Sequence, residues 1–409
     1  MKEVFHLAAN EVISRCETLA AFTEEPGFLT RTFLSDEMKL AYAMTRQWME
    51  EAGMTVRLDS AGNLRGLYGA GSPRIIIGSH LDTVPRGGKY DGILGVVLGI
   101  GLVKLLSGKR LPFGIEVIGF SDEEGVRFGV PFIGSKALAG ILDLREESGG
   151  LNTQIRNAIS DFGLDPSDLD SARLAPGSKA FLEFHIEQGP VLEHLDLELG
   201  IVNTIVGQSR FELHFKGQAN HAGTTPMNLR KDALSGAAEW ILEVEKLPHR
   251  ESNLVATVGR IEARPGAGNV IPGDVIVSLD VRHPQDQNRL EAAGKLLQQA
   301  EEICRQRGLT LETRELLNQA AAPMNKDLSE ILKTAVEVTG RRAHFMNSGA
   351  GHDCMVLAPH LPTAMLFLRS PGGLSHHPDE VVRAQDVAAA LEAGLSFVNL
   401  LEERGWLGE

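Results

Sequence analysis

Apolar and polar positions divide most of the chain into short strand-like runs separated by longer helical patterns. Runs rich in β-branched or other apolar residues predict strands at 55–58, 64–68, 74–77, 115–120, 181–184 and 364–368. A helix is predicted from Asp36, after the N-cap Ser35, up to Gly53, and another from Ile93 to Val103, where the run is apolar on every side. Strands that alternate with helices favour an α/β fold, a mostly parallel sheet covered by helices.

The pattern changes near Gln208, where apolar residues at 211, 213 and 215 alternate with polar ones. The elements that follow are a helix at 233–247, strands at 255–261 and 275–282, a helix at 289–307 and a strand at 310–316. This β-α-β-β-α-β order is the split βαβ, or ferredoxin-like, pattern. After about Gln319 the α/β pattern returns. We therefore expect one domain formed by residues 1–207 and 317–409, interrupted by an inserted α+β domain at 208–316.

Composition narrows the class of protein. A length of 409 residues suggests two domains, and the formal charge of −14 argues against nucleic acid or an anionic membrane as a partner. The three cysteines are odd in number and far apart, so no disulfide framework is expected and a reducing compartment such as the cytoplasm fits. The first residues lack the apolar core of a signal peptide, and the longest uncharged apolar run is too short to cross a bilayer.

The candidate chemistry starts at His80, which follows the strand predicted at 74–77 in the Gly-rich segment GSHLDTVPRGGKYDG at 78–92. Strand ends in an α/β sheet are the usual places for a functional site. An imidazole suits a divalent metal, the carboxylate of Asp91 is able to bridge two cations, and Asp82 is expected to accept the other ring N–H of His80. A His-x-Asp pair on its own is more often a hydrogen-bonded polar pair.

Further candidates follow strands or lie in loops of the α/β part. Glu123 and Glu124 follow the strand at 115–120, His185 follows the strand at 181–184, and His376 lies in a late loop. Taken alone, the pair of glutamates is more often a solvated turn, and His185 is more often a core histidine. With His80 and Asp91 they supply three imidazoles and two ligand carboxylates, while the other glutamate stays free to carry a proton. That set suits two divalent cations that share one carboxylate, with Zn, Mn, Co and Ni all acceptable.

Five segments, taken in order, resemble the metal-site motifs of the peptidase M20 superfamily. They are GSHLDTV at 78–84, YDG at 90–92, DEEG at 122–125, HIEQG at 185–189 and SH at 375–376. The set looks like the hydantoinase/carbamoylase amidase branch, which includes allantoate amidohydrolases, N-carbamoyl-L-amino acid hydrolases and β-ureidopropionases. The resemblance covers nearly the whole chain, and the five motifs together are far more specific than any one alone.

The resemblance implies a role for each residue of the set. The ligands of two divalent metal ions would be His80, Asp91, Glu124, His185 and His376. His80 and His185 would hold one ion, Glu124 and His376 the other, and Asp91 would bridge them. Glu123 would be the general base, and Asp82 would support catalysis beside His80. The chain departs from the family pattern at His377, where a small polar residue is expected, so His376 and His377 compete as ligand and the position after Ser375 favours His376.

The resemblance also implies contacts with the substrate. NHAGTTPM at 220–227 matches the segment whose histidine, here His221, reaches the active site of the partner subunit and stabilises an oxyanion. The substrate-binding candidates are Gln188, Gln208, Asn269, Arg282, Gly351 and His352. Arg282 and Asn269 would grip the substrate carboxylate, because the arginine fork binds a carboxylate with two hydrogen bonds. Structural alternatives stay open: Asn269 as a turn residue, Arg282 in a surface ion pair and His352 as a structural histidine.

The implied activity is hydrolysis of a ureido C–N bond in a small carboxylate, with release of ammonia and CO2. Gln208 and Thr224 favour allantoate, since a glutamine there suits a second ureido group, and an N-carbamoyl-L-amino acid is the alternative substrate. An M20 aminopeptidase or dipeptidase is disfavoured by the segments at 185–189 and 220–227. A non-catalytic metal-dependent binding protein is disfavoured because Glu123 and all five ligands are present.

The assembly is predicted from the inserted domain, whose antiparallel sheet leaves an edge strand that needs a partner. We expect a homodimer, formed through this domain, in which each active site is shared between two subunits. The sequence assigns no role to residues 138–178.

Overall fold

The chain divides into a discontinuous unit and a unit inserted within it. The computed structural model describes residues 2–145 and 150–406. The host unit consists of Met1–Asn203 and Met324–Glu409, and the inserted unit is Thr204–Pro323. The inserted unit is longer at both ends than the predicted range 208–316. At its C-terminal end, the strand predicted to end at Leu316 continues to Gln319 and a further short strand follows.

The helices of both units have the following bounds. They are α1 Lys2–Ala20, α2 Asp36–Glu51, α3 Ile93–Leu105, α4 Ile133–Ala139, α5 Leu151–Asp161, α6 Val191–His194, α7 Ala233–Lys246, α8 Asp286–Arg307, α9 Lys326–Glu337, α10 Asp353–Leu357 and α11 Ala384–Glu403. Short 3-10 turns lie at Leu169–Ala172, Met227–Leu229 and Pro371–Gly373. The predicted cap is confirmed, since the Ser35 side chain accepts a hydrogen bond from the Met38 N–H at the start of α2.

The strands form one large sheet, which belongs to the host unit apart from β14 and the end of β6, and two smaller sheets in the inserted unit. They are β1 Thr55–Leu58, β2 Leu64–Tyr68, β3 Arg74–His80, β4 Gly114–Phe120, β5 Ser178–Ile186, β6 Leu199–Ile205, β7 Gly207–Lys216, β8 Asn220–His221, β9 Val255–Thr257, β10 Ile261–Arg264, β11 Val270–Ile271, β12 Asp274–His283, β13 Thr310–Gln319, β14 Ala322–Pro323, β15 Phe345–Ser348 and β16 Thr363–Leu368.

The large sheet is parallel at its centre and antiparallel at its edges. Its order is β1-β2-β4-β3-β5-β16-β6-β14, with β15 also paired to β6. The neighbours β4, β3, β5 and β16 run parallel, whereas β1, β2 and β6 pair antiparallel. The prediction of an α/β fold with a mostly parallel central sheet is therefore confirmed, and the edge strands are antiparallel.

The centre of the sheet is buried on both faces, as its continuous apolar sequence requires. Every residue of β4 and β16 is buried, and so is β3 from Ile75 onward. The predicted apolar helix is confirmed as α3, in which Ile93 to Val103 are all buried. Because the central strands are parallel, their carboxyl ends meet at one edge of the sheet, and the residues that follow them are brought together there.

The inserted unit has the ferredoxin-like order of strands that its sequence pattern indicates. Its main sheet runs β10-β12-β7-β13 with β9 also paired to β12, and these pairings are antiparallel. One face packs on α7 and α8 around the fully buried Trp240, whose Nε1 donates to the Leu296 carbonyl oxygen at 2.8 Å. The strand predicted at 255–261 is in fact two, β9 and β10, because they pair with different parts of β12.

The stretch 138–178, to which the sequence assigns no role, lies in the host unit. It holds α5 and a 3-10 turn, and Arg65 reaches it by donating from Nη1 to the Ala172 carbonyl oxygen at 2.7 Å. Residues 146–149 of that stretch lie outside the described residues.

In the part of the chain that the structure describes, we find no helix long and apolar enough to cross a membrane.

Candidate metal centre

The candidate ligands gather at the carboxyl edge of the central strands. His80 is the last residue of β3, His185 is the last but one of β5, and Glu124 lies four residues after β4. Asp91 lies just before α3, in the loop that follows β3. His376 comes from the loop after β16. Parallel pairing of β4, β3 and β5 thus accounts for the meeting of residues that are far apart in the sequence.

Asp91 lies at the middle of this cluster. Its Oδ1 is 3.4 Å from His80 Nε2 and 3.1 Å from His185 Nε2. Its Oδ2 is 3.3 Å from His376 Nε2, which is 3.4 Å from Glu124 Oε1. Two groups of three ligand atoms contain Asp91, and within each group the atoms lie within 4.8 Å of one another. Asp91 is the residue that both groups share.

The main chain fixes the rings of the two buried histidines. Nδ1 of His80 is 3.0 Å from the Asp82 carbonyl oxygen, and Nδ1 of His185 is 2.9 Å from the Ile186 carbonyl oxygen. A carbonyl oxygen only accepts, so Nδ1 carries the proton and Nε2 presents a lone pair towards Asp91 when the ring is neutral. Gly92 provides room for His80, since a Cβ there would lie 2.3 Å from Nε2.

The centre of the cluster demands positive charge. Asp91 Oδ1 and His185 Nε2 are buried and have no hydrogen-bond partner among the described residues, and two such lone pairs repel unless a proton or a cation lies between them. Burial opposes protonation of His80, but Asp91 and Glu123 outweigh it and raise the pKa of His80 well above its usual range. Imidazole and carboxylate donors are a set that divalent metals use, so the residues present fit a divalent metal.

Asp82 accepts the ring N–H of His80, as the sequence predicted, but with its main-chain oxygen and not with its carboxylate. Its carboxylate is 3.7 Å from His80 Nδ1, and the ring is hydrogen-bonded by the carbonyl oxygen of the same residue instead. The carboxylate accepts the N–H groups of Glu123 and Glu124, each at 3.1 Å. The spacing of His80 and Asp82 does not reveal these partners of the carboxylate, because the loop after β4 provides them.

Glu123 and Glu124 differ in their surroundings. Both lie within ligand distance of His80, but Glu124 alone of the two also joins the group of Asp91 and His376. Burial raises the pKa of Glu123 well above its usual range, and Glu124 and Asp353 add to the rise although His80 opposes it. A raised pKa makes the ionised carboxylate a stronger base, which suits proton transfer.

Backbone strain marks three positions in the cluster. Asp122, Gln188 and His376 have φ angles of 51°, 59° and 54°, in the left-handed region that residues with a Cβ rarely adopt. Such positions cost on the order of 1–3 kcal/mol each and are typical of functional sites. Gln188 and His376 carry side chains that approach Asp91, and Asp122 directly precedes Glu123.

His376, and not His377, is the histidine that approaches Asp91. His377 instead accepts the Asp379 N–H at Nδ1, at 3.2 Å. Ser375 Oγ and Gln188 Nε2 donate to Asp91 Oδ2 at 2.6 Å and 2.8 Å, so Gln188, predicted to contact the substrate, lies against Asp91. The His376 side chain is 47% exposed, which opens the cluster to solvent on this side.

Gly351 and His352 lie directly before α10, beneath the cluster. The His352 ring packs on His185 with centroids 4.4 Å apart, and its Nε2 is 3.0 Å from Ser348 Oγ. Burial and the neighbouring His185 hold the pKa of His352 well below its usual range, so this ring is neutral. A buried neutral ring packed on a candidate ligand corresponds to the structural alternative for His352.

His221 and Asn269 are neighbours within the inserted unit. β8 pairs with β11, and the Ala222 N–H donates to the Asn269 carbonyl oxygen at 2.9 Å. His221 Nδ1 accepts the N–H groups of Gly223 and Thr224 at 3.1 Å and 3.2 Å. The proton of the neutral ring is therefore on Nε2, which makes the exposed His221 a hydrogen-bond donor.

Gln208 and Arg282 face one another across β7 and β12, and they share a partner. Asp280 accepts Arg282 Nε at Oδ1 and Nη2 at Oδ2, at 2.9 Å and 3.0 Å. Gln208 Nε2 and Arg210 Nε also donate to Asp280 Oδ2, at 2.5 Å and 3.0 Å. Arg282 thus forms an ion pair, with Asp280, which was one of the alternatives that the sequence allowed for it. The ion pair aligns the guanidinium of Arg282 beside the Gln208 amide.

The comparison with known families rests on the same stretch that carries this geometry. Residues 76–400 match the peptidase family M20/M25/M40. The chain belongs to this family. The match includes all five candidate ligands together with Glu123 and His221.

Individual relatives place this M20 chain among amidases. It is 37% identical to allantoate deiminase 1 of Glycine max in an alignment 431 positions long, which covers 96% of this chain and 89% of that protein. It is also 37% identical to an N-carbamoyl-L-amino acid amidohydrolase of Geobacillus stearothermophilus over 377 residues, 90% of this chain and 91% of that one. The crystal structure of a hydantoinase/carbamoylase family amidase from Burkholderia multivorans has a TM-score of 0.88 at 29% identity and covers 96% of this chain and 97% of that one.

Sequence reasoning missed two buried carboxylates that support the M20 cluster. Glu380 Oε1 accepts the N–H groups of Tyr90 and Asp91, at 2.8 Å and 3.0 Å. Glu183 on β5 accepts Ser79 Oγ at 3.1 Å and the Cys354 N–H at 2.9 Å. The local signal for Glu380 is Gly88, where a Cβ would lie 2.2 Å from the Glu380 carboxyl carbon, and it is readable only once the fold is known.

Proposed function

We propose that this protein is a metal-dependent amidohydrolase that cleaves the ureido C–N bond of a small carboxylate, with allantoate as the first choice of substrate. The products are ammonia and CO2 together with the remaining carboxylate. The observation that carries the proposal is Asp91, shared by two groups of histidine and carboxylate ligands, in a chain whose M20 relatives are named as amidases.

Two divalent metal ions are part of the proposal. His80 and His185 would hold one ion, Glu124 and His376 the other, with Asp91 between them. When bound, such ions polarise the ureido carbonyl and make water a better nucleophile. The orphaned atoms Asp91 Oδ1 and His185 Nε2 support this assignment, because a cation satisfies both.

The chain's own side chains carry the proton and the developing charge. Glu123 accepts a proton from the attacking water and delivers it to the leaving nitrogen, a task for which its raised pKa suits it. His221 donates from Nε2 to the oxygen that becomes negative as the carbonyl carbon turns tetrahedral. Arg282 and Asn269 bind the carboxylate at the other end of the substrate and fix its orientation.

The choice of allantoate rests on Gln208. The relatives named allantoate deiminase and N-carbamoyl-L-amino acid amidohydrolase are equally similar in identity, so overall similarity does not decide. Gln208 sits beside Arg282, where its amide is able to donate to and accept from a second ureido group. Hydrolysis of an N-carbamoyl-L-amino acid is the second candidate, favoured by the relatives of that name.

The active enzyme is proposed to be a homodimer built on the edge of the inserted sheet formed by β9 and β10. Apolar side chains at or beside this edge are more than 45% exposed, namely Leu242 at 53%, Val255 at 57% and Ile261 at 48%. The opposite edge, β13, carries Glu312, Arg314 and a bulge near Leu316, features that protect an edge from pairing. Pairing through β9 and β10 would let His221 of each subunit complete the site of the other.

Ammonia release from a panel of substrates tests the activity. The purified protein, loaded separately with Zn, Mn, Co or Ni, is offered allantoate, N-carbamoyl-L-amino acids, their D-enantiomers and dipeptides. Ammonia from allantoate alone supports the first choice, and ammonia from N-carbamoyl-L-amino acids alone selects the second. Release of amino acids from dipeptides without any ammonia from the ureido compounds would overturn the proposal.

A further inference from the structure

Arg31 is a fully buried arginine whose side-chain hydrogen bonds, among the described residues, all go to main-chain carbonyl oxygens. Nε and Nη2 donate to the Leu81 oxygen at 3.0 Å and 2.8 Å. Nη1 donates to the oxygens of Leu19 and Phe22, at 2.6 Å and 3.1 Å, where α1 ends. The guanidinium therefore links the end of α1 to the residue that directly follows His80.

The backbone of Arg31 contacts the same loop a second time. Its N–H donates to Thr83 Oγ1 at 2.9 Å, and its carbonyl oxygen accepts the Thr83 N–H at 2.9 Å. A bridge between Leu29 and Gly87 continues this pairing. Leu81 and Thr83 are thus held on either side of Asp82, so that Arg31 determines the path of the chain through Asp82.

Asp82 is the point at which three elements of the cluster meet. Its carbonyl oxygen fixes the ring of His80, and its carboxylate holds the N–H groups of Glu123 and Glu124. A displacement of Asp82 would change the direction of His80 Nε2 and the position of both glutamates together. The contact chain runs from α1 through Arg31 and Asp82 to the ligands.

The charge of Arg31 also belongs to this arrangement. Burial lowers its pKa to about 10, with Asp82 as the largest opposing influence, so the guanidinium stays charged at neutral pH. A buried charge is stable only when its donors are satisfied, and the carbonyl oxygens named above provide that. Arginine suits this position because its planar fork binds several oxygens at once, which a lysine ammonium on a flexible stem does not do.

We propose that Arg31 is a positioning residue for the metal centre, which it serves by holding the Leu81–Thr83 loop and, through Asp82, the direction of His80 and the two glutamates. The inference rests on the metal site of the proposed function. It assigns a role in binding metal to a residue that touches neither the candidate ligands nor the substrate.

Binding of Co²⁺ to the full-length protein tests the proposal without measuring activity. Calorimetric titration gives the affinity, and the visible absorption of Co²⁺ reports the geometry of its ligands. We expect Arg31→Met to weaken Co²⁺ binding by about 10- to 100-fold, as loss of a group that orients ligands does, and to change the spectrum. Arg31→Lys should be intermediate. Thr83→Val, which removes a single hydrogen bond to Arg31, should change both readouts in the same direction but less.

Arg65→Met is the matched control, since Arg65 is also a fully buried arginine in the host unit and donates to the Ala172 oxygen and to Glu116. It should lower stability and leave the affinity for Co²⁺ and its spectrum unchanged. Wild-type affinity and spectrum in Arg31→Met, or an equal loss in Arg65→Met, would overturn the inference. If Arg31→Met does not fold, wild-type behaviour of Thr83→Val and Arg31→Lys overturns it. A wild-type protein that binds no Co²⁺ would overturn the proposed metal site itself.

Discussion

The two sets of candidate residues, one in each unit, differ in how the protein holds them. Around Asp91 most of the groups are buried, apart from the exposed His376; His80 and His185 are exposed by only 2% and 1%, and main-chain carbonyl oxygens fix their rings. In the inserted unit His221 and Asn269 are exposed, and the Arg282 side chain is 30% exposed. His221 and Arg282 are oriented by neighbours from their own loop or strands.

This difference shows two ways to prepare a polar site. Buried ligands need a rigid frame, because an unsatisfied polar group away from water is costly, and the ends of parallel strands provide that frame. Exposed donors are already solvated, so they need only an approximate direction and gain strength when a ligand excludes water around them. The buried set suits ions that stay bound, and the exposed set suits a substrate that comes and goes.

Removal of metal should give the largest effect, because it acts on the buried set as a whole. We expect dialysis against a chelator to abolish ammonia release almost completely, and added Zn, Mn, Co or Ni to restore it. The unfolding temperature should fall at the same time, since an ion that binds only the native state stabilises it. A chelated protein, shown by elemental analysis to be metal-free, that retains full activity would contradict the metal site.

Replacement of Glu123 by Gln should come next. Loss of a general base typically lowers the rate by about 10²–10⁴-fold, while the metal content should stay unchanged because Glu124 and not Glu123 is the proposed ligand. Glu124→Gln is the matched variant and should lower the metal content. Elemental analysis decides between them: loss of metal in Glu123→Gln with retention in Glu124→Gln would reverse the two roles.

His221→Ala tests the exposed set and the sharing of sites. Loss of one oxyanion donor should lower kcat by about 10²–10³-fold, whereas His249→Ala, also at an exposed histidine of the inserted unit, should have little effect. Mixed and reassembled dimers of His221→Ala and Glu123→Gln should recover up to about a quarter of wild-type activity, because about half of the dimers are mixed and each has one intact site. Verified subunit exchange without recovery would mean that His221 does not serve the partner's site.

Arg282→Lys should have the smallest effect of the four. A lysine keeps the charge but loses the two-pronged contact, so we expect KM to rise by about 10- to 100-fold while kcat changes less. Arg314→Lys, at another exposed arginine of the inserted sheet, is the control and should leave KM unchanged. An analogue without the carboxylate should react equally slowly with wild type and Arg282→Lys, and a larger loss in the variant would assign Arg282 another task.

The sequence was most informative where function and local pattern coincide. The strands at 55–58 and 64–68 and the helix after Ser35 were predicted with their observed bounds or nearly so, because capping and alternation are local. His80, Asp91, Glu124, His185 and His376 were selected together through strand ends and motifs, and the structure brings them to one cluster. Strand pairing then explains why residues nearly 300 positions apart in sequence, such as His80 and His376, lie near the same carboxylate.

The sequence was least informative where a contact depends on two distant loops. The partner of the Asp82 carboxylate is the loop after β4, Glu380 caps a loop 290 residues earlier, and Arg31 holds the loop after β3. None of these pairs has a characteristic spacing, since each forms only after the sheet has aligned the strands. The strands β6 and β15 at one edge of the large sheet were also not predicted, since their pairing depends on distant parts of the chain.

The place where the inserted unit joins the host unit has a consequence for the history and the engineering of such chains. β6 and β14 pair Thr204 with Pro323, and the Met324 N–H donates to the Asn203 carbonyl oxygen at 2.8 Å. The chain therefore departs and returns through hydrogen-bonded neighbours, as it would around a hairpin turn, and lengthening such a loop adds little entropy cost. A change in the length or sequence of the inserted unit, by recombination or by design, therefore leaves the order of the ligand-bearing strands unchanged.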